Sequence, residues 1–262
     1  MKSSKFWVGV LAVSALFGVA VTYWLGLFVT PPDVIQGQLV RLLYIHPSVA
    51  WVAYLAYGVT SVGSILYLWK RTRSLKWDRL AAASAEVGVV FTALTLITGS
   101  IWGRPTWHVW WTWDARLTTT ALLFLLYLGY LALRKVPASR DKIAVRSAVA
   151  GLVAFIDVPI VHQSVVWWKT LHQSATVFNA SLSPKVHGEM AWTMLVSFIS
   201  FTLVYLWMTI KRYQIETDID EFDNLEVEAA IAERLREVDG LVNSKASSGT
   251  RDGGLKDGGS IS

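Results

Sequence analysis

The sequence predicts an all-α integral membrane protein: six transmembrane helices, a tryptophan-rich loop at the outer face and a short cytoplasmic C-terminal tail. Three observations point there. Of 262 residues only 16% are charged and 53% are hydrophobic, with a mean hydropathy of +0.43, whereas a soluble domain carries about 25% charged residues. Six apolar runs approach or exceed the ~20 helical residues that cross a hydrocarbon core of about 30 Å. The basic residues collect in loops between alternate pairs of those runs.

The runs cover 6–29, 43–69, 81–102, 117–133, 145–161 and 190–210. The first follows Lys2 and Lys5 as a signal peptide would. Its apolar stretch is longer than an h-region of about 7–15 residues, however, and no small-x-small cleavage site follows, so it reads as a retained helix. The fourth and fifth runs are the shortest. Six spans put both termini on one side. That side carries 14 basic residues: Lys2, Lys5, five over 70–79, five over 134–146, Lys211 and Arg212. The other side carries Arg41, Arg104, Arg116, Lys169 and Lys185. The positive-inside rule therefore places both termini in the cytoplasm and the sparsely charged loops outside.

Composition divides the chain into a membrane domain, 1–212, and an acidic tail, 213–262. The first holds 19 of the 24 Lys and Arg and 7 of the 19 Asp and Glu; the tail holds the remaining 5 and 12. Ile219, Phe222, Leu225, Ala229, Leu235 and Val238 recur at loosely helical spacing among the acids, which predicts a short amphipathic cytoplasmic helix. From Gly240 the Ser, Gly, Asp and Lys mixture predicts disorder. The tail reads as a solubilising extension in preference to a docking element.

Several chemistries are excluded early. With no cysteine there are no thiolate zinc sites, no iron–sulfur clusters and no thioether-linked haem of the chain's own. No G-x-x-x-x-G-K-[ST] occurs, so any ATP dependence belongs to a partner. The pI of 9.4 suggests no nucleic acid, because the basic residues serve orientation. The chain is expected to be a binding protein, not an enzyme.

All five histidines lie at or near the outer face: His46, His108, His172 and His187 in or beside outer loops, and His162 at the outer end of the fifth span. His46 precedes Pro47, and proline favours a first helical position; His46 should therefore sit at the N-terminal lip of the second helix. Alone, it reads as a hydrated interfacial residue. The stretch from Pro159 to Gln173 adds His162, Trp167, Trp168, Lys169 and His172, more than an aromatic belt requires.

The loop after the third span is the decisive segment. Trp102, Trp107, Trp110, Trp111 and Trp113 fall within twelve positions, followed by Asp114 and Arg116. The i, i+3, i+4, i+7 spacing of Trp107, Trp110, Trp111 and Asp114 predicts one face of a helix. Such a surface suits a planar, apolar ligand with anionic groups. Haem is one: its faces want aromatic packing, its propionates want cations such as Arg104, Arg116 or Lys169, and its iron wants imidazole.

Trp102-Gly-x-x-x-Trp107 followed by Trp110-Trp-x-Trp113-Asp114-x-Arg116-Leu117-Thr118 resembles the tryptophan-rich WWD signature of haem-handling proteins in cytochrome c maturation. Within that group the six spans resemble the CcmC family, over roughly residues 35–212, with further matches at Tyr44-Ile-His46 and Trp167-Trp168-x-x-Leu171-His172-Gln173. The resemblance implies non-covalent binding of haem b in transit at the outer face of the bacterial inner membrane. It implies delivery to a CcmE-type chaperone, a contribution to haem export, and a CcmD-type small protein and CcmA/CcmB-type transporter components as partners. It assigns His46 and His172 as axial iron ligands, and Trp102, Trp107, Trp110, Trp111, Trp113, Asp114 and Arg116 as the haem-binding platform. His108 departs from the pattern by standing where glycine is expected, and the acidic tail is longer than the pattern.

The alternative from another class is a b-type membrane cytochrome with bis-histidine haem for electron transfer. It would place facing histidines deeper in the bundle, whereas these gather near one face. A solute carrier would show ionisable groups near the midplane; Glu86 and Asp157 lie near span ends and read as structural.

Overall fold

A computed structural model describes residues 2–172 and 188–249. Gln173, Lys185 and His187 lie outside the described residues. Helices account for almost everything described: α1 (Lys2–Trp24), α2 (His46–Leu68), α3 (Leu75–Trp107), α4 (Ala115–Arg134), α5 (Arg140–Phe155), α6 (Asp157–Trp167) and α7 (Gly188–Gly249). A π-helical turn, Leu25–Val29, extends α1, and a 3₁₀ segment, Gln38–Tyr44, precedes α2.

Among the described residues six helical stretches are long and apolar enough to cross a membrane: Lys5–Val29, Gln38–Leu68, Leu75–Trp107, Ala115–Arg134, Arg140–Trp167 and Gly188–Gly240. The protein is thus all-α and multi-pass. The helices overrun the apolar windows because backbone hydrogen bonding continues into their polar ends, where side chains rather than hydropathy satisfy the chain. The fifth stretch consists of α5 and α6, meeting at Ile156.

One of these extensions changes the site: helix α3 continues through Trp107, so Trp102 to Trp107 belong to a helix and not to a loop. The 3₁₀ segment lengthens the second stretch to Gln38, yet α2 itself starts at His46 with Pro47 in its first turn, so His46 stands at the N-terminal lip of that helix as its place before proline predicts. By compactness the chain divides into Met1–Gln214 and Ile215–Ser262. In the second unit α7 is described as helical through Gly249, past Gly240, where composition predicts disorder.

Small residues let α2 and α3 approach closely. A Cβ on Gly88 would fall 2.6 Å from Tyr57, and one on Gly63 would fall 2.9 Å from the Trp77 carbonyl oxygen. The contact is stitched by hydroxyls, as expected where no water is available. Ser84 Oγ donates to the Ala56 carbonyl at 2.7 Å and Thr60 Oγ1 reaches the Ala81 carbonyl at 3.2 Å. Tyr57 stacks on Tyr127 of α4 with centroids 3.6 Å apart. Two ion pairs join distant segments, Asp78 with Arg134 (2.6 Å) and Glu86 with Arg212, which bears out a structural role for Glu86.

Candidate functional site

Where α3 ends and α4 begins, a largely apolar cavity of about 310 Å³ opens within the helix bundle. Its α2 wall contributes His46 and Tyr54, its α3 wall Thr95, Gly99, Trp102 and Trp107, and its α4 wall Arg116. His162 of α6, and Leu171 and His172 of the segment after α6, close it. The volume is within the ~300–1,000 Å³ of small-molecule sites.

Helix α3 supplies its wall by spacing. Thr95, Gly99, Trp102 and Thr106 follow one helical face. Gly99 makes room for an imidazole: a Cβ there would lie 3.0 Å from His46 Cε1. Gly103 does the same for Trp107, whose ring would meet a Cβ at 2.8 Å. Each histidine is then met edge-on by a tryptophan, His46 by Trp102 (centroids 5.8 Å) and His172 by Trp107 (4.8 Å).

The helix stops at Trp107 because His108 adopts φ 61°, ψ 10°, the left-handed conformation that ends helices and favours glycine. Residues 108–114 are not helical. The expectation that Trp107, Trp110, Trp111 and Asp114 share a helix face is therefore corrected: the left-handed residue turns the chain out of the helix. Trp110 and Trp113 are 62% and 83% exposed, Trp111 meets Trp113 edge to face, and none of the three lines the cavity. Arg104 lies over the Trp110 ring at 5.9 Å. His108 is exposed and away from the cavity.

Asp114 sits behind the cavity as an organiser. It caps α4, accepting from Arg116 N (2.9 Å) and Leu117 N (3.2 Å). Its other oxygen accepts from the Thr170 hydroxyl and from Leu171 N (2.8 Å). The carboxylate also faces His172 Nδ1 at 3.3 Å. Burial pushes this carboxyl up, but the Thr170 hydroxyl and the Leu117 and Leu171 amides outweigh it and hold the group below the usual aspartate value. His172 is pushed below the ordinary histidine range by burial, with Arg116 adding to the effect and Asp114 opposing it.

A hydrogen bond at His46 and a close carboxylate contact at His172 favour which imidazole nitrogen stays free. The Thr98 hydroxyl donates to the Leu94 carbonyl at 2.7 Å, so its oxygen accepts from His46 Nδ1 at 3.0 Å. An ionised carboxylate only accepts, so the contact with Asp114 likewise favours the proton on His172 Nδ1. Both rings keep the Nε2 lone pair for a ligand bond. Arg116 Nη2 donates to the His162 carbonyl at 3.0 Å, while its Nε is buried with no hydrogen-bond partner.

Of the residues singled out from the sequence, His46, His172, Trp102, Trp107 and Arg116 thus converge on one cavity. Gln36, Tyr54, Thr98 and Gly99 were not singled out. The repeat of small and hydroxyl residues before Trp102 is the signal that marks the last two. Among the described residues no cluster of three or more His, Cys, Asp or Glu side chains is grouped closely enough to hold a metal ion.

The heme exporter protein C (CcmC) family profile matches residues 1–227. The chain is 36% identical over 203 residues to "Heme exporter protein C" of Haemophilus influenzae, covering 77% of this chain and 80% of that one. It is 34% identical over 204 residues to the Escherichia coli K12 protein of the same name, covering 77% and 80%. It is also 34% identical over 241 residues to a "Putative cytochrome c biosynthesis ccmC-like mitochondrial protein" of Arabidopsis thaliana, covering 92% and 88%.

Proposed function

The chain belongs to the heme exporter protein C family, a multi-pass membrane family of haem handling in cytochrome c maturation, and we propose that it holds haem b non-covalently at the outer face of the inner membrane and passes it to a CcmE-type chaperone. The observation that carries this reading is the pairing of His46 and His172 in one cavity. Each has its Nδ1 beside an acceptor, which leaves two Nε2 lone pairs for iron; a second-shell acceptor raises imidazole basicity and fixes the ring.

The cargo supplies iron with two axial positions, a flat apolar macrocycle and two propionates. His46 and His172 take the axial positions. Trp102 and Trp107 pack against the ring and hold the imidazoles edge-on. Arg116, with an unspent buried N–H, takes a propionate. Asp114 acts through His172 and does not touch haem. The exposed Trp110 and Trp113, with the half-buried Trp111 between them, form the surface across which haem leaves toward the chaperone. No covalent bond of the macrocycle changes, so the chain is a carrier and not an enzyme. CcmD-type and CcmA/CcmB-type proteins are its proposed membrane partners, and both termini are cytoplasmic.

Transfer to a purified CcmE-type chaperone tests this. Trp113→Ala loads haem and fails to deliver it, whereas Trp107→Ala fails to load. Equal delivery by Trp113→Ala and wild type overturns the role of the exposed tryptophans. Reporter fusions after Trp113 report an outside position and those after Arg73 and Lys142 an inside one; the reverse pattern overturns the orientation.

A further inference from the structure

His162 lines the same cavity as His46 and His172, a third imidazole beside the two proposed iron ligands. Among the described residues His46 Nδ1 is hydrogen-bonded to Thr98, and His172 Nδ1 faces the Asp114 carboxylate at 3.3 Å without a hydrogen bond. The His162 ring meets Tyr54 edge-on at 6.3 Å and has no carboxylate or hydroxyl at its ring nitrogens. Its backbone is held from the same helix end that holds His172: Arg116 Nη2 donates to the His162 carbonyl, and Asp114, two residues earlier, faces His172 Nδ1. His46, by contrast, is fixed by Thr98, Gly99 and Trp102 of α3.

The three imidazoles therefore sort into one ligand on the α3 side and two tied to the start of α4. Those two differ in their supports. His162 is within α6, a helix, whereas His172 follows it on irregular chain held chiefly by hydrogen bonds to Asp114 and Thr170. A carrier that binds iron through two imidazoles cannot release it until one bond breaks. The bond most easily broken is the one from irregular chain.

We propose that His162 is an exchange ligand: during release the His172 Nε2–iron bond breaks, a His162 nitrogen forms the replacing bond, and His46 remains. The exchange swaps one neutral donor for another and needs no oxidant, reductant or proton. It frees the 168–172 segment while iron stays six-coordinate, which keeps water off the metal until an outside acceptor takes it. This rests on the haem-carrier reading above.

Absorption and electron paramagnetic resonance spectra of the detergent-purified full chain test it, using His172→Ala and the double variant His172→Ala/His162→Phe. His172→Ala keeps a low-spin, bis-imidazole spectrum without added imidazole. The double variant loses it, becomes high-spin, and recovers it when imidazole is added. A His172→Ala protein that is high-spin or haem-free beside a haem-loaded wild type overturns the exchange role, as does a double variant that stays low-spin. A wild type without haem overturns instead the haem reading on which the proposal stands.

Discussion

Asp114 Oδ1 lies 3.3 Å from His172 Nδ1, and the same carboxylate caps α4 and holds the backbone of Leu171. One side chain thus couples a helix start, an irregular segment and the tautomer of an imidazole. Asp114→Asn keeps one acceptor oxygen but no charge. The expected result is haem affinity lowered about 10–100-fold, the usual cost of losing an outer-shell partner, together with a shifted haem midpoint potential. Circular dichroism with equilibrium haem titration checks this; unchanged affinity and potential in a folded variant argue against the coupling.

The position of His172 sets a pH dependence. Its value lies below the ordinary 6.5 because burial disfavours the cation. In the window between the folded value and 6.5 the unfolded chain binds a proton that the folded chain does not. Stability from this group is therefore complete above about 6.5 and declines as pH falls below it. In the haem-free protein, nuclear magnetic resonance of His172 should give a midpoint below 6.5. A midpoint above 6.5 means that Asp114 outweighs burial.

Gly99 and Gly129 separate contact from propensity. A methyl at Gly99 lies 3.0 Å from His46 Cε1, and at Gly129 nothing lies within 4 Å. Gly129→Ala should stabilise by about 0.5–1 kcal/mol through helix propensity with the haem spectrum unchanged. Gly99→Ala should perturb the spectrum by moving His46. Thermal unfolding alongside the absorption spectrum distinguishes the two, and identical spectra for both remove the argument from close approach.

At His108 the backbone is left-handed, a conformation costing a non-glycine residue roughly 1–2 kcal/mol. His108→Gly should match or exceed the wild-type melting temperature, with the same haem spectrum. A loss of axial ligation in this variant transfers the ligand role to His108.

Trp107 and Trp113 should part company in loading. Trp107 lines the cavity, and truncation to alanine removes an apolar contact worth ~2–3 kcal/mol if fully buried, a fall in occupancy that haem titration reads directly. Trp113, 83% exposed, should load normally. Equal loading by both variants contradicts the division between cavity and rim.

The six spans were legible because hydropathy over ~20 residues is a bulk property. Their ends were not, since Arg104 and Pro105 lower the local hydropathy while α3 runs on to Trp107. The tryptophan spacing pointed to the right segment and the wrong local structure. A single φ of 61° at His108 breaks the helical register; the glycine expected at that position is the residue a left-handed turn favours, but a histidine there carries no local sign of the turn. His46 and His172 were identified by resemblance to a family pattern; residue spacing alone left His46 an ordinary interfacial side chain. Convergence of His162 on the cavity depends on how α6 departs from α5 at Ile156, which is a packing outcome and not a periodicity. The small-residue contact of Gly99 with His46 joins positions 53 apart and has no local signature.

The most direct test of the central claim is the absorption spectrum of the purified protein, expressed with ample haem, beside that of His46→Ala. The wild type should show low-spin bis-imidazole bands. His46→Ala should show a five-coordinate, high-spin spectrum that added imidazole returns to low spin. A wild type devoid of haem bands, or a His46→Ala protein whose spectrum is indistinguishable from wild type, contradicts the account.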